Sequence, residues 1–179
     1  CSKADARRAA PVLKHPASIG GDIAMSGTID ARLAKLSIEL PQAAAPVANY
    51  VPYVISGNLV FVSGQVTLWN GELQYVGKLG QEFCVDEGYK AARLCGLNLI
   101  AQARNATDGE LDSIKRVIRL GGFVNSTSDF TDQPKVINGA SDLMAEVFEN
   151  AGQHARAAVS AASLPFGVAV EVEATFEIN

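Results

Sequence analysis

Val168-Ala169-Val170-Glu171-Val172-Glu173-Ala174-Thr175-Phe176-Glu177-Ile178, at the C-terminal end of the chain, alternates with a strict period of two. Val168, Val170, Val172, Ala174, Phe176 and Ile178 point one way, and Glu171, Glu173, Thr175 and Glu177 the other. A β-strand turns that period into one apolar and one polar face. Such a strand needs neighbours at its edges and a layer over its apolar side, and the upstream sequence offers both.

Residues 156–163 read as another strand, joined to the last through Leu164-Pro165-Phe166-Gly167. Residues 114–124 are β-rich, and Gly121-Gly122 within them marks a bulge or a close backbone approach. Residues 53–56 and 59–64 flank Gly57-Asn58 as a hairpin, and Asn70-Gly71 signals a second turn with 73–76 as the returning strand. Two long helices supply the layer. One spans 84–106 with a stripe through Ala91, Leu94, Cys95, Leu99 and Ala101. The other carries Val136, Ile137, Ala140, Leu143, Met144, Val147 and Phe148, begins near Pro134 and stops at 150–152. A short helix over 28–36 has Ser26 or Thr28 as its cap. The order predicts an α+β domain, with the two main helices on one face of a mostly antiparallel or mixed sheet. The other face is left wet or covered by a partner. Ala157, Ala158, Val159, Ala161 and Ala162 leave the 156–163 strand too little charge for both faces to be solvated, so self-association is expected.

A mass of 18.8 kDa suits one ordinary domain and would make two cramped. Apolar residues at 48% and charged ones at 19% exclude a disordered or collagen-like chain. No apolar run reaches the roughly 18 residues of a membrane-spanning helix, so no membrane partner is expected. Residues 1–24 lack periodicity and read as an extension outside the fold, leaving 25–179 as a single domain; Pro41-Gln42-Ala43-Ala44-Ala45-Pro46 is a linker. The net charge is −4 and residues 1–24 contribute +2 of it, so the remainder carries −6. That body would repel a phosphate backbone, which argues against nucleic acid as a partner. Cys1, Cys84 and Cys95 form no disulfide framework or zinc spacing, which points to a reducing, cytoplasmic-type compartment.

No metal-ligand spacing, P-loop, dinucleotide fingerprint or Gly-x-Ser-x-Gly elbow is present. A Ser-His-Asp triad would have to use His15 or His154, and Cys84 and Cys95 read as small helix residues. Two candidates remain. Arg156 opens a small-residue strand, either as a guanidinium fork for a carboxylate or as a strand-end arginine in water. Glu171 and Glu173 share one strand face, a pattern that a solvated surface explains as readily as a site.

Four segments occur together and in order: Ser56-Gly57-Asn58-Leu59-Val60-Phe61-Val62-Ser63-Gly64-Gln65, His154-Ala155-Arg156-Ala157-Ala158-Val159, Leu164-Pro165-Phe166-Gly167 and Val170-Glu171-Val172-Glu173-Ala174. Over roughly 46–178 the chain resembles the Rid family, the YjgF-like reactive intermediate deaminases often labelled "endoribonuclease L-PSP". The resemblance implies a chorismate-mutase-like (YjgF-like) fold assembled as a homotrimer with a pocket at each subunit interface. It also implies hydrolytic deamination of enamines and 2-imino acids to 2-keto acids and ammonia, without a cofactor or metal. By motif, Arg156 matches the residue that grips the substrate carboxylate and Glu171 the one that orients water. Tyr50, Ser63 and Asn138 match pocket residues, and the backbone N–H of Ala158 a donor to substrate. Two segments depart from the family pattern, Gln153-His154-Ala155 before the arginine and Ala48-Asn49-Tyr50-Val51-Pro52 at the pocket rim. They suggest a divergent subgroup. A non-catalytic trimer that binds small carboxylates or keto acids is the alternative, with RNA cleavage behind it.

Overall fold

The computed structural model describes residues 28–43 and 49–179; the expected extension at 1–24 and the later part of the linker lie outside them. The elements are α1 (Thr28–Lys35), β1 (Tyr53–Ser56), β2 (Leu59–Val66), β3 (Leu68–Trp69), β4 (Glu72–Leu73), α2 (Val85–Ala106), β5 (Ile114–Asn125), α3 (Gln133–Phe148), β6 (Ala155–Ala161) and β7 (Val170–Ile178). Five strands make one sheet in the order β1-β2-β7-β5-β6. All pairs are antiparallel except β5 with β6, which α3 connects. The sheet is therefore mixed, and β7 is its central strand. That position explains the clean alternation: β7 is paired along both edges, so its two faces alone decide its side chains.

One face of the sheet lies under α2 and α3. Val170, Val172, Ala174 and Phe176 of β7 meet Cys95 and Leu99 of α2 and Ile137 and Leu143 of α3 in a single buried core. Each large apolar side chain buried there contributes about 1.5–3 kcal/mol. The two helices approach closely because their contact is built from small residues. A Cβ on Gly139 would stand 1.9 Å from the backbone oxygen of Tyr89. Cys95 is fully buried, its Sγ 3.4 Å from the carbonyl oxygen of Val170, and burial raises its thiol pKa well above the usual value. It is a packing residue.

Four expectations are corrected or sharpened. The expected strand over 73–76 does not join the sheet. Leu68–Trp69 and Glu72–Leu73 make a separate two-stranded hairpin, with Asn70 and Gly71 both at positive φ as a type I′ turn demands. Beyond it Tyr75, at φ 49°, breaks the extended path, and Val76 makes only an isolated bridge to Val168. Gly121-Gly122 is no bulge, because β5 keeps register with β7 from Arg119 to Val124. The glycines admit side chains from both layers: a Cβ would lie 2.6 Å from Glu173 at Gly121 and 2.6 Å from Ile137 at Gly122. The last two strands are shorter than read, ending at Ala161 and starting at Val170. The N-terminal N–H groups of α1 are capped from a distance: the Asp112 carboxylate accepts from Thr28 at 2.6 Å and Ile29 at 2.9 Å.

No described helix covers the second face of the sheet. Val54, Phe61 and Val159 stand about half exposed there, beside Arg119, Glu171, Glu173 and Thr175. Among the described residues no helix is long and apolar enough to cross a membrane.

Candidate functional site

β1 pairs with β2 only as far as Val62, where the β2–β7 register shifts across Ser63 and Gly64. Beyond that point Ser63 N donates to the Pro52 carbonyl at 2.9 Å, no described strand pairs with the outer edge of residues 64–66, and a cavity of about 370 Å³ opens. Gln65, Asn98 and Gln102 form its buried floor, while Tyr50, Leu73 and Phe166 are exposed at its mouth. Glu171 reaches it from β7. The glycine at 64 makes room for that carboxylate, since a Cβ there would lie 2.0 Å from Glu171 Oε1. No hydrogen bond from a described residue engages the Glu171 carboxyl. Burial, and then the neighbouring Glu173 carboxylate, raise its pKa above the ordinary carboxylate value. Glu173 is held differently, by an ion pair with Arg119 at 2.9 Å. Two glutamates on one face thus have different environments: one anchored to a cation, one aimed into a cavity and holding its proton more tightly than an ordinary carboxyl.

Arg156 lies at the other edge of the sheet. Its register partner is Leu120 of β5, which is buried beneath the helices, so the guanidinium projects on the helix side and meets α3. Nη1 donates to Asn138 Oδ1 at 2.8 Å and to Ser141 Oγ at 3.0 Å. Ser141 Oγ is also 3.0 Å from His154 Nε2, and His154 Nδ1 is 2.6 Å from the Gly152 carbonyl oxygen. A carbonyl can only accept, so Nδ1 carries a proton; in the neutral imidazole Nε2 is then the acceptor for the Ser141 hydroxyl, whose oxygen receives Arg156. The chain of bonds fixes one nitrogen of the fork, and the other two make no hydrogen bond to a described residue.

The residues named from the sequence fall into two groups. Tyr50 and Glu171 line the same cavity, and Ser63 sits beside it with Oγ donating to the Val51 carbonyl at 2.9 Å. Asn138 binds Arg156 directly, and Ala158 follows two residues on, over the same face of the edge strand. The two groups do not meet within one chain. Arg156 is level with Ala174 across β5, two strands over and three residues along from Glu171. Strand spacing and rise place the two Cα atoms about 14 Å apart, with side chains on opposite faces. Ser141 was not singled out by the sequence reading, although it lies one helical turn from Asn138 and the i, i+3 spacing was the available signal. The floor residues Asn98 and Gln102 were hidden inside the apolar stripe of α2. Among the described residues no three His, Cys, Asp or Glu side chains gather as a metal site.

Known proteins share this architecture. The model of the family described as "YjgF/chorismate_mutase-like, putative endoribonuclease" matches residues 30–175. The chain is 49% identical to Protein TCP17 of Trypanosoma cruzi over 158 residues, 88% of this chain and 98% of that protein. It is similar to the crystal structure of Atu1372 from Agrobacterium tumefaciens, a protein of unknown function. The identity is 48%, the TM-score 0.79, and the match covers 84% of this chain and 92% of the other. RidA from an Antarctic Psychrobacter is 28% identical with a TM-score of 0.54, covering 76% and 94% of the two chains. At similar coverage, the gap between those TM-scores separates nearer from more distant relatives of one fold. By the extent of the family match and the level of identity to these relatives, the chain belongs to the YjgF/Rid family.

Proposed function

We propose that this protein hydrolyses 2-imino acids to 2-keto acids and ammonia at sites shared between copies of the chain. The observation that carries the reading is Glu171, a carboxyl without a hydrogen-bond partner among the described residues, with a raised pKa, in an otherwise largely apolar cavity. A group so placed takes a proton from water and gives it up again within one turnover. In the reaction Glu171 accepts a proton as water oxygen bonds to C2 of the iminium, and the C=N π pair moves to nitrogen. It then returns the proton to the amine of the tetrahedral adduct. The C2–N bond then breaks with its electron pair going to nitrogen, the C2 hydroxyl gives its proton to the Glu171 carboxylate as C=O forms, and that proton passes to the departing ammonia, which leaves as ammonium. Arg156 holds the substrate carboxylate through the fork that Asn138 and Ser141 orient. Positioning supplies most of the advantage, because imines already react with water.

The separation of Arg156 from Glu171 supports assembly. A three-carbon substrate cannot span about 14 Å and two faces of a sheet. A head-to-tail ring, a homotrimer as the Rid resemblance implies, would bring the Arg156 edge of one copy to the Glu171 cavity of the next. The exposed Val54, Phe61 and Val159 supply apolar surface for that contact. The endoribonuclease label of the family finds less support, since Glu171, Glu173 and Glu177 on one face of a chain of net charge −4 would repel a phosphate backbone.

The test generates imines with an amino-acid oxidase and traps those that escape with semicarbazide. Wild type is expected to speed keto-acid release and reduce trapping, and Arg156→Ala to abolish both effects. Equal trapping with and without wild type would overturn the reading, and small-carboxylate binding without turnover would replace it.

A further inference from the structure

The cavity beside Glu171 is larger and more apolar than a small imino acid requires. Its volume of about 370 Å³ is the liquid share of about a dozen waters. The three-carbon imine brings only about six heavy atoms, and pockets of this size ordinarily enclose larger ligands. The polar floor is largely committed to the walls. Gln65 Nε2 donates to the Ser63 carbonyl at 2.9 Å, and Asn98 Nδ2 to the carbonyls of Leu68 at 2.7 Å and Leu94 at 3.0 Å. Leu68, Leu73 and Phe166 give the remaining space an apolar lining.

Phe166 is a second, independent observation. Its backbone sits at φ 57°, ψ 10°, a left-handed conformation that is costly for an aromatic residue. Gly167 follows at φ 69°, and the pair is held by the bonds from Gly167 N to Leu164 O at 3.0 Å and from Gly77 N to Gly167 O at 2.8 Å. The conformation does not bury the ring, which is 60% exposed at the cavity mouth. A strained backbone that presents an apolar ring toward a cavity is explained by what the ring receives.

We infer that the site takes 2-imino acids with a large apolar side chain, of the size of the phenylalanine-derived imine, and that Phe166, Leu73 and Leu68 receive that side chain. The inference rests on the imine-hydrolase reading for its chemistry but not for its geometry, and the test separates the two. Binding of the corresponding keto acids, phenylpyruvate and pyruvate, is measured by titration calorimetry on the full chain. In parallel, kcat/KM is measured for imines generated from phenylalanine and alanine. Phenylpyruvate is expected to bind at least about tenfold more tightly than pyruvate, with kcat/KM in the same order. Phe166→Ala and Leu73→Ala, both at exposed positions, should each lower the binding ratio about fivefold. If no imine is hydrolysed, the hydrolase reading falls while the binding ratio still decides the subsite. Pyruvate binding as tightly as phenylpyruvate, or a ratio unmoved by both substitutions, overturns the inference.

Discussion

Chains carrying Arg156→Ala and chains carrying Glu171→Gln should each be inactive alone and regain activity when mixed. The reason is the separation of the two side chains, on opposite faces with Cα atoms about 14 Å apart, which leaves no single copy able to complete a site. In a closed head-to-tail trimer each site takes Arg156 from one copy and Glu171 from the next. Every mixed ring then contains one junction where an intact arginine faces an intact glutamate. With equal amounts and free exchange, about three rings in four are mixed and each has one good site in three, so about a quarter of wild-type activity returns. The assay is semicarbazide-trapped imine turnover after the two variants are unfolded together and refolded, or incubated until subunits exchange. Mass spectrometry of the intact assembly reports the mixed population. Mixed rings without activity would refute a shared site and require Arg156 and Glu171 to serve different functions.

Other substitutions test the local geometry. Gly64→Ala puts a Cβ 2.0 Å from Glu171 Oε1 and must displace the carboxylate by about 1.4 Å to regain normal contact. Turnover should fall about 100-fold with Tm little changed, and kcat within threefold of wild type would count against the carboxylate position described. Gly139→Ala meets backbone instead, 1.9 Å from Tyr89 O and 3.0 Å from Arg93 N, so α2 and α3 must part. A cost of about 3 kcal/mol should lower Tm by about 6–12 °C in a scanning calorimeter, and a drop below about 2 °C would refute the tight helix contact. For Glu171 the raised pKa means the folded chain holds the proton more tightly than the unfolded one. Its ionisation therefore opposes folding, the penalty growing as pH rises through the raised value. Glu171→Gln should raise Tm at pH 7 and lose that gain below the ordinary carboxylate value of about 4.3; a difference independent of pH would show that ionisation is not the cause. Ser141→Ala removes the bridge between His154 and Arg156, and KM should rise about fivefold with kcat nearly unchanged. An unaltered KM would mean that Asn138 alone orients the fork.

Residues whose environment is set by near neighbours were legible in the sequence. The β7 alternation, the stripe of α3 and the Asn70-Gly71 turn each express a local period or a required φ, and the structure keeps all three. The mixed sheet with helices on one face followed from element order. The family resemblance pointed to Tyr50 and Glu171, which share a cavity, and to Arg156 and Asn138, which share a hydrogen bond. Which edge of the sheet each pair occupies depends on strand order, and no local pattern encodes it. Strand order brought β6 to the edge opposite β1 and so parted Arg156 from Glu171. The same long-range pairing placed Asp112 at the N-terminus of α1, cleared the space at Gly64 for a carboxylate 107 residues further along the chain, and joined Ser141 to His154 behind the arginine. The sequence alone therefore determined the main strands and helices, because periodicity and turn chemistry are local, while its motifs carried the family resemblance. Tertiary structure alone decided which carboxyl is aimed into a cavity and how the arginine is held, because burial and hydrogen-bond partners come from residues far apart in the chain.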